Sequence, residues 1–199
     1  MTDFFDDLFA GRPLLAILRG FGPDRTVEVA EQAWALGVTA VEVPIEVPEQ
    51  VESLRAAVAA ARPHGHAIGA GTVYTADQVD AARAAGAVFT VAPGHDPEVA
   101  QRSRRAGMPH PPGVATPSEV QAALRGGHTW LKLFPASELG TGYVRALRGP
   151  FPRIRIVATG GIDSRNARDF LDAGADVVAL GSALADPAQL PAVAGLVAG

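Results

Sequence analysis

The chain has 199 residues, a formal net charge of −4 and no cysteine, and 48% of its residues are hydrophobic. That length allows one large domain with a sizeable core. The absence of cysteine excludes disulfides, thiolate metal sites and a cysteine nucleophile. The acidic balance, with no basic cluster beyond Arg102, Arg104 and Arg105, argues against nucleic acid as the main partner.

No apolar run approaches the roughly 20 residues that a membrane helix needs, so no membrane partner is expected. The first ten residues carry aspartates but no basic residue, which is unlike a secretory signal. We therefore expect a cytoplasmic protein. Phe4, Phe5, Leu8 and Phe9 lie at helical spacing and predict a short amphipathic helix up to Gly11.

After this helix, short apolar strands alternate with helical stretches, and a glycine often precedes the next strand. The predicted strands are Leu14–Arg19, Ala40–Pro44, Ala67–Thr72, Val88–Ala92, Met108–Pro112, Thr129–Phe134, Ile154–Thr159 and Val177–Gly181. The predicted helices cover 24–36, 48–61, 75–85, 96–106, 117–125, 140–148, 164–173 and 187–197. The fifth strand is the least regular of these, because prolines cannot donate to a sheet ladder.

Eight strand–helix units predict an α/β fold in which a parallel sheet closes into a (β/α)8 TIM barrel. No charge run or low-complexity linker interrupts the units, so residues 1–199 are expected to form a single domain. An open, doubly wound sheet is the structural alternative. It would normally carry a Gly-rich fingerprint after its first strand, and residues 19–23 are not one.

Lys132 is the only lysine among 17 basic residues, and it lies in an apolar, strand-like run. A guanidinium stays protonated, whereas a desolvated amine can lose its proton and attack a carbonyl. If Lys132 points into the barrel, so do Trp130 below it and Phe134 above it, because strand side chains alternate. A snorkelling lysine at a strand edge is the alternative. The apolar flanks favour a Schiff-base nucleophile.

Glu42 is the second chemical candidate, because it places a charge inside the apolar strand Ala40–Pro44. A lone buried carboxylate costs several kcal/mol unless it is paired or protonated. A solvent-facing glutamate on an edge strand is a poor alternative, since a closed parallel barrel has no edge. A carboxylate near a lysine can move the protons that imine chemistry requires.

Other polar groups and glycines follow the strands, at the end of a barrel where chemistry takes place. Arg19 ends the first strand and Thr72 the third, and together they suit a small carboxylate, although a rim salt bridge and a helix cap remain open. The turns after the last two strands expose backbone N–H groups near helix N-termini, where phosphate binds. These turns contain Gly160, Gly161, Gly181 and Ser182.

The five histidines do not suggest a metal site. They are His64, His66, His95, His110 and His128. Only the first two have metal-ligand spacing, and they precede the third strand at the opposite end of the barrel. We therefore expect the histidines to be structural or exposed.

Short motifs in a fixed order resemble the class I aldolases that act on 2-keto-3-deoxy-6-phosphogluconate and often on 4-hydroxy-2-oxoglutarate. The resemblance covers nearly the whole chain from Leu14 to Asp186. Its segments are Ala16–Arg19, Val41–Pro44, Gly69–Val73, Ala92–Gly94, Pro112–Glu119, Leu131–Pro135 and Thr159–Ile162.

The resemblance implies a reversible, metal-independent cleavage without a cofactor, in which Lys132 forms an imine with the substrate keto group and Glu42 moves protons. It implies that Arg19 and Thr72 bind the carboxylate end and that Pro93 and Phe134 shape the pocket. The phosphate would bind at Gly160, Gly161, Gly181 and Ser182. The partners implied are a phosphorylated keto acid and pyruvate, and the family resemblance also suggests a homotrimer.

Two positions point to different sugar epimers. Many members have an arginine four residues after the catalytic glutamate, where this chain has Glu46, and the context of Glu42 resembles the branch that prefers the 6-phosphogalactonate epimer. Thr159 before the paired glycines instead resembles the gluconate-specific members. The epimer therefore stays open at this point, as does 4-hydroxy-2-oxoglutarate as the main substrate.

Two more distant functions would use the same barrel. A phosphosugar epimerase or isomerase would need the phosphate site and Glu42 but no amine nucleophile, so the solitary Lys132 speaks against it. A non-catalytic phosphosugar-binding protein would need neither of these two residues.

Overall fold

The computed structural model describes residues 3–198. The strands are β1 (Leu14–Ile17), β2 (Ala40–Pro44), β3 (Ala67–Gly71), β4 (Phe89–Thr90), β5 (Gly113–Val114), β6 (Trp130–Leu133), β7 (Arg155–Ala158) and β8 (Val177–Leu180). The α-helices are α1 (Phe4–Leu8), α2 (Pro23–Ala35), α3 (Gln50–Ala61), α4 (Ala76–Ala85), α5 (Pro97–Arg105), α6 (Pro117–Arg125), α7 (Ala136–Leu139), α8 (Thr141–Arg148), α9 (Ala167–Asp172) and α10 (Leu190–Ala198).

The eight strands form one curled parallel sheet in the order β4-β3-β2-β1-β8-β7-β6-β5. The first and last strands pair directly, with Leu15 opposite Ala179. Two hydrogen bonds link β4 to the chain before β5: Thr90 N–H donates to Pro109 O at 3.0 Å and Ala92 N–H to Pro111 O at 3.4 Å. The sheet is therefore consistent with a TIM-like barrel, as the alternation of elements predicted.

The prediction of a fifth strand at Met108–Pro112 was wrong, because β5 comprises only Gly113 and Val114. Prolines have no N–H group and cannot form a two-sided ladder. Their carbonyl groups are nevertheless used. Pro112 O accepts a hydrogen bond from Lys132 N–H at 2.9 Å, so this irregular segment still supports the neighbouring strand β6.

Helix boundaries follow local capping chemistry. Thr75 and Thr116 each complete a capping box at the start of α4 and α6. The helix predicted at 140–148 is confirmed as α8, and a further short helix, α7, precedes it; Gly140, whose φ of 78° is not helical, separates the two. The helix predicted at 187–197 is shifted to α10, and a 3-10 helix, Ser182–Ala185, follows β8.

The buried side chains form two layers on either side of the sheet. The outer layer packs the strands against the surrounding helices and includes Leu131, Leu133 and Phe170. The inner layer fills the barrel and includes Phe89 and Trp130. This alternation along β6 confirms that Trp130 points inward. Within residues 3–198, no helix combines the length and apolarity that crossing a bilayer would require.

Three histidines, His95, His110 and His128, lie close together. The ring centroids of His110 and His128 are 6.4 Å apart, and those of His95 and His128 are 5.7 Å apart. His110 Nδ1 lies 2.7 Å from the Thr90 hydroxyl, and its Nε2 has no hydrogen-bond partner in the described part of the chain. Burial, followed by the charges of the neighbouring histidines, lowers the pKa of His110 to about 3.

We predict that this histidine makes the fold acid-labile. A histidine with a folded pKa below its unfolded value of about 6.5 stabilises the fold above that pH and loses this contribution as the pH falls towards 3. At about pH 5 the loss from His110 alone is ~2 kcal/mol. Denaturant unfolding of the wild type at about pH 7.5 and pH 5 measures it. The non-titrating variant His110→Asn is expected to lose less stability, whereas the control His64→Asn, at an exposed site, should behave like the wild type. Equal losses in all three proteins would contradict the prediction.

Candidate active site

Strands β2 and β6 bring the two chemical candidates together inside the barrel. Glu42 is the third residue of β2 and Lys132 the third of β6, so strand alternation directs both inward. Lys132 Nζ lies 3.6 Å from Glu42 Oε1, and the two side chains are 4% and 0% exposed. The sequence predicted both an inward lysine and a nearby acid, and the geometry brings them into contact.

Both carboxylate oxygens of Glu42 lack a hydrogen-bond partner among the described residues. A buried acceptor of this kind is costly unless another group satisfies it. The separation of 3.6 Å is too long for a hydrogen bond. The two groups are nevertheless close enough for a single bridging molecule to transfer a proton between the acid and the amine. The pair is therefore arranged to exchange protons with a bound molecule or with water between the two groups.

Gly71 provides the space for the Glu42 carboxylate. A Cβ atom at residue 71 would lie 2.0 Å from Glu42 Oε1, which is far inside van der Waals contact. Gly71 ends β3 and pairs with Pro44 of β2, so the backbone itself fixes this close approach. The sequence motif contained Gly71, but only the structure reveals which side chain requires it.

A cavity of about 500 Å³ opens above Lys132 at the carboxyl ends of the strands. Eight of the predicted site residues line it: Arg19, Lys132, Phe134, Thr159, Gly160, Gly161, Gly181 and Ser182. Glu42, Thr72 and Pro93 are not in its lining. Four lining residues were missed by sequence reasoning, namely Ile17, Phe21, Ala179 and Ala185. Strand alternation could have indicated the inward Ile17 and Ala179, whereas Phe21 and Ala185, which lie outside the strands, gave no signal.

Phe134 forms one wall of this cavity. Its ring centroid lies 5.8 Å from Lys132 Nζ, within the range of a cation–π contact, and the side chain is 38% exposed. Thr159 directly follows the neighbouring strand β7 and is buried. Its hydroxyl donates a hydrogen bond to Val157 O at a long 3.4 Å. The amine is therefore bordered by one aromatic face and one weakly engaged hydroxyl.

Arg19 lies at the rim and is held by two partners from distant parts of the chain. Its Nη1 donates to Glu46 Oε1 at 2.8 Å and its Nη2 to Thr72 Oγ1 at 3.2 Å. Thr72 has a φ of 59°, a left-handed conformation that is strained for a β-branched residue. The exposed ion pair adds little stability. Its effect is to fix the direction of the guanidinium group across the rim.

The turn after β7 presents unused backbone donors to the cavity. Gly160 and Gly161 have φ values of 96° and 69°, and neither amide donates a hydrogen bond within the described residues. A Cβ atom at residue 161 would lie 2.0 Å from Ser137 Oγ, so this turn requires glycine. Helix α9 begins only at Ala167, so the free donors belong to the loop and not to a helix N-terminus.

A larger groove of about 660 Å³ lies on the outside, between α4 and α5. Its lining includes Asp80, Arg83 and Arg102, and Arg102 is paired to Asp80 at the surface. It contains neither the amine nor an unpaired buried acid, so its size does not make it the chemical site. Among residues 3–198 no cluster of three or more His, Cys, Asp or Glu side chains could hold a metal ion.

The chain is similar to known proteins over most of its length. The sequence model of the KDPG and KHG aldolases matches residues 6–193. A protein of Rhizobium meliloti (strain 1021) named probable 2-dehydro-3-deoxy-6-phosphogalactonate aldolase is 40% identical over 177 residues, which are 88% of this chain and 83% of that protein. A 2-dehydro-3-deoxy-phosphogluconate aldolase of Pseudomonas aeruginosa is 38% identical over 152 residues, which are 74% of this chain and 68% of that protein.

A solved structure is similar over nearly the whole chain. The KDPG aldolase from Legionella pneumophila, described with pyruvate captured as a covalent carbinolamine intermediate, has a TM-score of 0.82 and 28% identity, covering 96% of this chain and 94% of that chain. The fold and the buried amine–acid pair together define a lyase of the aldolase class. The chain belongs to the KDPG and KHG aldolase family.

We predict that Gly71→Ala lowers aldolase turnover while leaving the fold intact. The added methyl group would displace the Glu42 carboxylate from its position 3.6 Å from Lys132 Nζ. A displacement of about 1 Å can cost roughly a hundredfold in rate. Steady-state kinetics and a thermal melt measure the two effects. Gly142→Ala is the matched control, because a Cβ there meets no atom within 4 Å and its rate should not change. Wild-type turnover in Gly71→Ala would show that the position of Glu42 is unimportant.

Proposed function

We propose that the chain is a class I aldolase that cleaves 2-keto-3-deoxy-6-phosphogluconate reversibly to pyruvate and glyceraldehyde 3-phosphate. The observation that carries this proposal is the buried amine of Lys132, 3.6 Å from an unpaired carboxylate, next to a cavity of about 500 Å³. The family membership gives the reaction type. The pyruvate carbinolamine described for the Legionella pneumophila relative supports a covalent intermediate between an amine and pyruvate.

In the proposed reaction, the Lys132 amine adds to the C2 carbonyl, and loss of water gives a protonated imine. The C3–C4 bond then breaks, and its electron pair moves towards the cationic nitrogen to form an enamine. The aldehyde product leaves with the oxygen of the former C4 hydroxyl. Protonation of the enamine at C3 and hydrolysis of the imine release pyruvate and restore the amine. No oxidant or metal is needed for this balance.

Glu42 is the proposed proton carrier. Its two buried oxygens have no other partner among the described residues, so they are free to take the C4 hydroxyl proton, directly or through one water. The same carboxyl group then returns a proton to the enamine carbon. A carboxylate that was already held by hydrogen bonds would be less able to act in both directions.

The phosphate is proposed to bind at the other end of the cavity. Gly160 and Gly161, whose amides donate no hydrogen bond within the described residues, line it, and Gly181 and Ser182 lie on the adjacent turn. Oriented backbone amides form anion-binding concavities in many proteins. Arg19 lines the same cavity and can add a charged contact to the phosphate or to the carboxylate end of the substrate. Thr72 and Pro93, together with Phe134, are proposed to shape the site for that carboxylate end.

We also infer that the curled sheet is a closed (β/α)8 barrel in one domain with a short helix before it. The direct β1–β8 pairing and the two hydrogen bonds from β4 to the chain before β5 support closure. A homotrimer is proposed from the resemblance to the family. These inferences do not affect the chemistry assigned to Lys132.

The 6-phosphogalactonate epimer is the second candidate substrate. The Rhizobium meliloti relative that carries its name is 40% identical over 88% of the chain. Thr159 supports the gluconate epimer instead, because a hydroxyl in the cavity lining can bind a substrate hydroxyl that an apolar residue cannot. The unphosphorylated 4-hydroxy-2-oxoglutarate would leave the glycine turns without a ligand.

We predict that Lys132→Arg abolishes the reaction although it keeps the charge. Incubation of the wild type with pyruvate and borohydride should give a stable adduct of one pyruvate on the Lys132 peptide, measured by mass spectrometry. The variant should form no adduct there and retain less than about a thousandth of the wild-type rate, because a guanidinium is a poor nucleophile. Thermal melts of both proteins serve as the folding control. A wild type without an adduct, or a variant with substantial turnover, would refute the imine.

We predict that Thr159→Val changes the epimer preference. Cleavage of both epimers at equal concentration gives the ratio of the two kcat/KM values. The wild type should favour the gluconate epimer, and the variant should shift the ratio towards the galactonate epimer by about tenfold, since one hydroxyl contact is worth ~1.4 kcal/mol. Thr39→Val, before β2 at the other end of the barrel, should leave the ratio unchanged. An unchanged ratio in Thr159→Val would remove this residue from the specificity determinants.

A further inference from the structure

The amino ends of the strands are covered by an aromatic cluster, here called the floor, which consists of Phe5, Phe9, Phe89 and Trp130. The ring centroids of Phe5 and Phe89 are 5.6 Å apart, and those of Phe9 and Trp130 are 5.2 Å apart. All four side chains are buried, Phe9 being the most exposed at 8%. Phe5 belongs to α1 and Phe9 directly follows that helix, whereas the other two come from β4 and β6.

Two polar contacts attach α1 to the strand that carries Lys132. Trp130 Nε1 donates to Asp6 Oδ1 at 3.1 Å, and Thr129 Oγ1 donates to Asp3 Oδ2 at 3.3 Å. Trp130 is two residues before Lys132 on β6 and points to the same side of the sheet. The helix is therefore fixed directly below the amine, and not only packed against the sheet as a whole.

The space between the floor and the amine is at most the size of one water molecule, and its lining is almost wholly apolar. A gap of about 10 Å³ remains there, and Lys132, Phe5 and Phe9 are among the residues that line it. A water needs at least that volume and also two to four polar partners. Only Lys132 and Thr159 in the lining have polar side chains. The amine can thus exchange water only with the cavity above it.

We propose that the floor is a positioning element for catalysis: it keeps water from reaching Lys132 from below, and Phe9 is the residue that closes it. This inference rests on the proposed imine chemistry. Water entering from below would solvate the ammonium form and would also hydrolyse the imine before the C3–C4 bond breaks. With the floor intact, the bound substrate itself controls the access of water through the cavity.

The test combines a spectroscopic signal with a rate. The chain has two tryptophans, so Trp34→Phe leaves Trp130 in the floor as the only emitter. In that background, Phe9→Ser introduces space and a hydroxyl that can bind water. We expect Trp130 emission to move to longer wavelength and the rate of borohydride-trapped pyruvate adduct formation to fall by about tenfold. Phe9→Leu, which restores an apolar side chain, should recover both signals, and Phe9→Ala is the milder variant if Phe9→Ser does not fold.

Phe170→Ser is the matched control. Phe170 is also buried but belongs to the outer layer, so its loss destabilises the fold without opening the floor. It should leave the emission and the trapping rate unchanged. A red-shifted Phe9→Ser variant with the wild-type trapping rate, or equal slowing in Phe9→Ser and Phe170→Ser, would overturn the proposal. If the wild type forms the adduct, the imine chemistry is supported whichever result the variants give. If the wild type forms no adduct, the imine and this inference are both overturned.

Discussion

The structure depends on one buried contact, between the Lys132 amine and the Glu42 carboxylate. Removing two charged groups from water costs several kcal/mol per ion, and geometry must repay that cost. At 3.6 Å, without a hydrogen bond, this pair is not optimised for stability. The surrounding fold accommodates it: the backbone at Gly71 makes room for the acid, and the two strands hold the groups on facing walls. The unsatisfied acceptor is a cost to folding that becomes useful when a substrate fills the site.

The two ends of the barrel divide the work between them. Aromatic rings close the amino end of the strands and stabilise the fold by burying apolar surface. The carboxyl end of the strands has glycine turns, a hydroxyl and a rim arginine, and it buries little apolar surface. The proposed chemistry lies at the boundary, one side-chain layer above Trp130. A lysine one layer higher on β6 would be solvated, and one layer lower it would be sealed away from any substrate.

The sequence predicted what depends on local pattern and failed where contacts are distant. Lys132 and Glu42 stood out because a charge inside an apolar strand is costly wherever that strand packs. The fifth strand was misplaced because the segment of prolines contributes only carbonyl groups, and a pattern of apolar residues cannot distinguish that from a full ladder. The three-way contact of Arg19 with Glu46 and Thr72 joins residues 27 and 53 positions apart, so no local signal could reveal it.

That contact also bears on how the rim treats an anionic substrate. Glu46 occupies one side of the Arg19 guanidinium. An exposed ion pair is worth only about 0–1 kcal/mol, so an incoming phosphate or carboxylate can displace Glu46 at little cost. As long as Glu46 is bound, the Arg19 guanidinium stays directed across the rim and does not turn outward into the solvent. The amides of Gly160 and Gly161 have no competing acceptor among residues 3–198. The anion contacts proposed for the rim are therefore of two kinds: fixed, uncharged amides, and one charged group that must first exchange partners.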